Sequence, residues 1–122
     1  MKFQTLIAGL IATTTAGICI PIAAVVAQHS FGNETSHCRA TLIGNEPNSR
    51  VTLRSGPGTN YKSLGYGLVG DRVLVLTVTA PEVDYEKDNQ GKGWYRVGFP
   101  RSGAQGWIRE DFLRVQCAPI ND

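Results

Sequence analysis

The residues with the clearest potential for chemistry are the adjacent His37 and Cys38, since a thiolate beside an imidazole is the nucleophile of cysteine peptidases. Neighbouring side chains of an extended chain point apart, so His37 is poorly placed to activate Cys38. Cys117 stands at the other end of the patterned region. In an oxidising compartment we expect Cys38 and Cys117 to form a disulfide. We therefore predict no catalytic residue, and rank a cysteine-dependent cell-wall enzyme as the least favoured hypothesis.

Residues that could hold a metal or a phosphate lack the required spacing. His29 and His37 stand eight residues apart in a polar segment without further ligands. The acidic stretch from Glu82 to Asp88 does not have the ligand order of a calcium loop, so we interpret it as a solvated hairpin tip. No glycine-rich segment is followed by the Lys-Ser/Thr pair of a phosphate-binding loop. The sequence predicts no metal site and no cofactor.

Aromatic side chains are the best candidates for noncovalent binding, because they offer a large contact area and, in Tyr and Trp, a polar group. The candidates are Tyr61, Tyr66, Trp94, Tyr95 and Trp107. Trp94 and Tyr95 point to opposite faces of a strand, so at least one of them belongs in a core. For each tryptophan, a structural and a ligand-contacting role both stay open.

Turn residues surround these aromatics. Pro57 and Gly58 suit the central positions of a type II turn, in which the glycine takes a positive φ. Arg54 lies beside this turn and is expected to brace it through hydrogen bonds to loop carbonyls. We assign structural turn roles to a set of residues that supply unusual backbone angles or fix a turn: Arg54, Gly56, Pro57, Gly58, Gly70 and Gly106.

Charge excludes one class of function. The 122 residues carry 12 basic and 10 acidic side chains, and the arginines are spread along the chain. Nucleic-acid binding requires clustered Lys and Arg for phosphate contacts. We therefore expect no nucleic-acid partner.

The first 27 residues have the pattern of an export signal. Lys2 is followed by a long uncharged stretch, with small or compact side chains before a cleavage point after Ala27. An uncleaved membrane anchor is the alternative, because this stretch is long enough to span a bilayer. We expect cleavage, no stable membrane span afterwards, a secreted or periplasmic location and a monomer.

The remaining sequence favours β structure throughout. Short runs rich in β-branched and aromatic residues alternate with Gly, Pro and Asn, and no run is long enough for a helix. We predict an all-β fold, a small barrel of five to six short, mostly antiparallel strands with a long acidic hairpin loop. The predicted segments are a flexible lead-in at 28–37, the domain at 38–117 and a tail at 118–122. The expected strands are 40–43, 51–54, 72–79, 94–99, 105–109 and 113–116.

Three ordered motifs resemble bacterial SH3-like (SH3b) domains. Residues 51–61 (VTLRSGPGTNY) are similar to the opening motif of that family, residues 93–97 (GWYRV) to its second and residues 106–108 (GWI) to its third. The resemblance covers roughly residues 40–116, and the single-domain form is similar to cyanobacterial SH3b proteins. Two features depart from the family pattern: the long acidic loop and the pair of cysteines.

The resemblance implies an SH3-like barrel and a non-catalytic binding module for peptidoglycan or cell-wall peptides. From the residues we expect the contact surface near Tyr61 and Trp94. The alternative is a secreted protein-interaction or inhibitor domain that binds its partner through the acidic loop.

Overall fold

The computed structural model describes residues 28–120, which form eight strands and two short 3₁₀ turns. The 3₁₀ turns are Gly32–Glu34 and Glu110–Phe112, and the second comes directly before the last strand. The strands are β1 (Thr35–Leu42), β2 (Arg50–Arg54), β3 (Ser63–Leu68), β4 (Arg72–Leu76), β5 (Tyr85–Lys87), β6 (Gly93–Gly98), β7 (Gln105–Arg109) and β8 (Leu113–Cys117).

All strand pairs are antiparallel and belong to one sheet with the order β3-β2-β7-β6-β4-β1-β8, while β5 pairs with β6. This is the all-β, SH3-like architecture predicted from the sequence. The first and last strands are neighbours, with Cys38 opposite Cys117 and Leu42 opposite Leu113. The two ends of the domain therefore meet at one side of the sheet.

The core follows from the alternation of side chains along each strand. On β1 the side chains of Cys38, Ala40 and Leu42 are buried, and the residues between them are not. The other strands add their own inward-facing aliphatic residues to the same cluster: Val51, Leu53, Val73, Val75, Val97, Ile108 and Leu113. A small domain thus obtains one continuous apolar interior from alternate residues of six strands.

Two strands were missing from the sequence prediction, and one segment expected to be flexible is ordered. β3 and β5 raise the number of strands to eight. The lead-in at 28–37 is instead attached to the barrel: Glu34 accepts a backbone hydrogen bond from Thr77 at 2.7 Å, and β1 begins at Thr35. The Ser36 hydroxyl donates to the Val75 carbonyl at 2.5 Å. These long-range partners stabilise a segment whose own sequence has no periodicity.

The fourth strand is shorter than predicted. It ends at Leu76 rather than at Thr79, because the chain bends at residues 78 and 79 and leaves the sheet. Thr77 remains buried and its hydroxyl donates to the Glu82 carbonyl. The hydroxyl therefore satisfies a loop carbonyl at the point where the sheet pairing stops.

Glycines fulfil two different roles. Gly70 has a positive φ of 102°, as the sequence prediction required, and Gly65 has a positive φ of 147°. Gly106 has no positive φ; instead, a Cβ there would lie 2.7 Å from the Arg54 carbonyl oxygen. Gly106 is therefore needed where β2 and β7 approach closely, which corrects the expectation of an unusual backbone angle.

Two predicted segments lie wholly or partly outside the described residues. The export signal at 1–27 is one of them, and the last two residues of the tail are the other. Within residues 28–120, no helix is long and apolar enough to cross a membrane.

A disulfide joins Cys38 to Cys117 across the β1–β8 pair, as the sequence predicted. Cys38 is 2% exposed, so its sulfur belongs to the core. The bond closes a loop with a sequence separation of 79. It restricts the unfolded chain far more than the folded one.

We expect removal of this bond to lower the free energy of unfolding by about 4–5 kcal/mol, from the chain entropy of the closed loop. Urea denaturation of the oxidised protein and of the Cys38→Ser/Cys117→Ser variant measures the difference. Reductant should destabilise the parent protein and leave the double variant unchanged. Equal stability of oxidised parent and variant would contradict the prediction.

Candidate binding surface

The five predicted ligand aromatics do not share one surface. Tyr61 and Tyr66 are 44% and 52% exposed, whereas Trp94 is 3% exposed. Tyr95 and Trp107 are half-buried, and Tyr95 packs against the core cluster. Of the five candidates, only Tyr61 and Tyr66 are therefore exposed at the surface.

The expectation that Trp94 contributes to a ligand surface is wrong for a physical reason. Its ring lies in the interior, and its only polar group donates a hydrogen bond from Nε1 to Asp88 Oδ2 at 2.9 Å. A buried indole N–H needs such a partner. Trp94 is thus a structural residue that links β6 to the loop beyond β5.

Sequence reasoning missed an exposed leucine beside the tyrosines. Leu64 is 49% exposed and lies on β3 two residues before Tyr66, and both residues line the same groove. We call Tyr61, Leu64 and Tyr66 the hairpin surface. The signal was present in residues 63–68, where large side chains alternate with glycine in the period of a strand.

Arg54 and two glycines position Tyr61. The Arg54 guanidinium donates from Nη1 to the Tyr61 carbonyl at 3.0 Å, which confirms the predicted bracing of the turn. Gly56 and Gly58 are buried beneath the Tyr61 ring: a Cβ on Gly58 would lie 3.3 Å from its Cδ2, and one on Gly56 would overlap it. Neither glycine has a positive φ, so the predicted type II turn at Pro57 and Gly58 is wrong. The ring covers Gly56, whereas the atom closest to an added Cβ on Gly58 is Asn60 Oδ1 at 2.6 Å, so close side-chain approaches rather than backbone angles favour glycine at both positions.

A neighbouring arginine orients Tyr66. The Arg50 guanidinium carbon lies 4.3 Å from the centroid of the Tyr66 ring, within the range of a cation–π contact. Tyr66 itself pairs with Thr52 across the β2–β3 ladder. Arg50 therefore orients the Tyr66 ring on an exposed strand. One face of the ring contacts the guanidinium, and the other does not.

Strand β3 is also an end of the sheet. It pairs with β2 alone among the strands of residues 28–120, so its other edge offers backbone N–H and C=O groups without a strand partner. An edge of this kind can hydrogen-bond an added extended peptide. Exposed aromatic and aliphatic side chains on such an edge form a surface suited to peptide recognition.

The acidic loop is not the solvated tip that the sequence suggested. Asp84 accepts a 2.6 Å hydrogen bond from Arg96 Nε, and Arg96 also donates from Nη1 to Glu34 at 2.9 Å and to Gln105 at 2.8 Å. Burial would lower the pKa of Arg96, but the hydrogen bonds to Glu34 and Asp84 outweigh it and raise that pKa. Asp84 is thus committed to an internal ion pair.

The Asp88 carboxylate also accepts hydrogen bonds from within the domain. Besides Trp94, its Oδ1 accepts hydrogen bonds from the backbone N–H groups of Gln90 and Lys92 at 2.8 and 2.9 Å. The Trp94 bond, followed by the Lys92 backbone bond, lowers the pKa of Asp88 below its ordinary value of 3.8. Among the four acids of this loop, only Glu82 and Glu86 are exposed.

His37, a candidate for catalysis and for metal binding by its residue type, lies beside the disulfide. The possible ligand atoms of His37, Cys38 and Cys117 lie within 4.8 Å of one another. Both sulfurs are bonded to each other, so neither offers the thiolate that nucleophilic attack or zinc binding needs. Cys38 and Cys117 are therefore structural residues.

The sequence of this chain is similar to those of known proteins. The family model described as "Bacterial SH3 domain" matches residues 49–114. A serine/threonine-protein kinase D from Synechocystis sp. is 38% identical over 74 residues, which are 61% of this chain and 13% of the kinase. The chain thus spans a small part of the length of that relative. No solved structure matches the chain at a significant level.

We expect acid to weaken the Asp88–Trp94 contact only below pH 3.8, the ordinary pKa of an aspartate. A folded-state pKa below the unfolded one contributes stability above the unfolded value, and this stability is lost as pH falls through the folded value. Trp fluorescence during acid titration should report this transition, and Asp88→Asn should abolish it. Trp107→Phe, which leaves Trp94 as the indole of the barrel, is the control that assigns the signal. A transition with its midpoint above 3.8 in this variant would contradict the argument.

Proposed function

Because the chain belongs to the bacterial SH3 domain family, we propose that this binding module acts outside the cytoplasm and recognises peptidoglycan or cell-wall peptides without catalysis. Its contact region is the hairpin surface of Tyr61, Leu64 and Tyr66. The observation that carries the proposal is the exposure of these side chains beside the free edge of β3. Aromatic anchors on a rigid scaffold bind with little loss of conformational entropy.

The extracellular location draws on two observations. The first 27 residues have the pattern of an export signal, and the Cys38–Cys117 bond is of a kind that persists in oxidising compartments. The size of the domain gives a further reason for the bond, since a domain with a small core gains much of its stability from a cross-link.

A protein partner is the second candidate, and the free edge of β3 is the observation that favours it. The relative from Synechocystis is a serine/threonine-protein kinase in which the aligned part is a small fraction of the chain. Within the acidic loop, Asp84 and Asp88 are engaged inside the domain, so only Glu82 and Glu86 are exposed to such a partner.

We expect the oxidised protein to sediment with purified peptidoglycan, and Tyr61→Ala or Tyr66→Ala to weaken its retention about tenfold, as the loss of an aromatic anchor does. Val78→Ala is the matched control, because Val78 is 76% exposed but lies on a different loop. Circular dichroism checks that each variant is folded.

Absence of retention at both low and moderate salt would exclude peptidoglycan and favour the protein partner. Equal retention of the tyrosine variants and the Val78→Ala control would show that the hairpin surface is not the contact region.

A further inference from the structure

Three arginines converge on the outer face of β4, β1 and β8. Arg39 and Thr41 point away from the core, because the alternate residues of β1 point into it. Thr41 lies between Arg72 on β4 and Arg114 on β8 in the strand register. Two strand spacings separate Arg72 from Arg114, about 10 Å between backbones, and Arg39 lies about 7 Å farther along β1. We call these three residues the arginine face.

The arginine face is not neutralised within residues 28–120. Arg96 and Arg109 pair with carboxylates, but Arg39, Arg72 and Arg114 make neither an ion pair nor a side-chain hydrogen bond to the described residues. All three side chains are exposed. Like charges gathered on one sheet face repel each other weakly. An anionic ligand would remove that repulsion.

The arginine face opens into a groove of about 1160 Å³. Its lining includes a fourth cation, Arg101, and one carboxylate, Asp71. Asp71 already accepts a hydrogen bond from the Leu68 backbone N–H at 2.9 Å. The volume exceeds the range of about 300–1,000 Å³ that is typical of small-molecule sites. The groove therefore has a strong positive bias and room for a larger ligand.

The same groove reaches the free edge of β3. Leu64, Gly65 and Tyr66 line it together with the arginines. Backbone groups without a strand partner select a ligand that has complementary backbone groups. Same-face side chains of an extended peptide repeat every ~6.8 Å, close to the distance between successive outward positions of β1. A polypeptide can contact the β3 edge, the Tyr66 ring and the arginines at the same time. A simple phosphate can interact only with the positive charges of the arginines.

We propose that this groove binds an extended acidic polypeptide segment whose carboxylates pair with Arg39, Arg72 and Arg114 while its backbone lies along β3. Arginine is suited to this role because its planar guanidinium binds carboxylates with two parallel hydrogen bonds. The inference rests on the proposed role as a recognition module and names the chemical class of its ligand.

The test is fluorescence anisotropy of a labelled peptide of alternating glutamate and threonine, with the matching glutamine–threonine peptide as the uncharged control. The oxidised protein should bind the glutamate peptide more tightly, and added salt should weaken that binding. Each single change, Arg39→Gln, Arg72→Gln or Arg114→Gln, should weaken it about threefold, and the triple variant about tenfold or more. Lys87→Gln, which removes the same charge from β5 outside the groove, should have no effect.

The thermal midpoint of the triple variant should equal or exceed that of the parent, because the substitutions remove repulsion at exposed positions. This keeps the loss of binding distinct from unfolding. Equal binding of the two peptides, or unchanged binding by the folded triple variant, would overturn the proposal. So would preferential binding of inorganic phosphate or of phosphatidylglycerol vesicles, because those ligands make no use of the β3 edge.

Sedimentation with peptidoglycan, measured on the same variants, separates this proposal from the preceding one. Retention on peptidoglycan without binding of the glutamate peptide would overturn the acidic-peptide proposal alone. Peptide binding without retention would overturn peptidoglycan as the ligand and leave the acidic-peptide groove standing.

Discussion

The antiparallel pairing of β1 with β8, held by the Cys38–Cys117 bond, is the constraint on which the rest of the structure depends. It joins the two ends of the domain, so that a chain with few buried side chains becomes one closed unit. The same pairing places Leu42 opposite Leu113 inside. It also places Thr41 beside Arg114 outside. The core and the arginine face are therefore two consequences of one register.

The alternation of strand residues explains why these two surfaces cannot vary independently. A shift of β1 by one residue would bring Arg39 and Thr41 inward and expose Ala40 and Leu42. Burial of an unpaired guanidinium costs far more than the sheet gains from an altered pairing. The hydrophobic side of β1 thus determines where the cationic side lies, and the positive groove follows from the requirement for a core.

The near-neutral net charge conceals a separation of charges within the fold. Carboxylates of the acidic loop are used internally: Asp84 binds Arg96, and Asp88 binds the Trp94 indole. The arginine face has no such partners among the described residues. The domain therefore presents an excess of positive charge on one face although the chain as a whole has almost none. Net charge alone would have excluded a polyanionic partner of any kind.

Residue patterns and residue types were sufficient to predict the fold class, the disulfide and the bracing role of Arg54. Residues 63–68 also alternate large side chains with glycine in the period of a strand, although the sequence prediction placed no strand there. The burial of Trp94 and the exposure of Tyr66 depend instead on tertiary contacts, since Trp94 lies inside the sheet and Tyr66 lies on a strand with a free edge. Strand pairing likewise brings Arg39, Arg72 and Arg114 together on one face of the sheet. Residues far apart in the chain become neighbours only through strand pairing, and no local pattern contains that information.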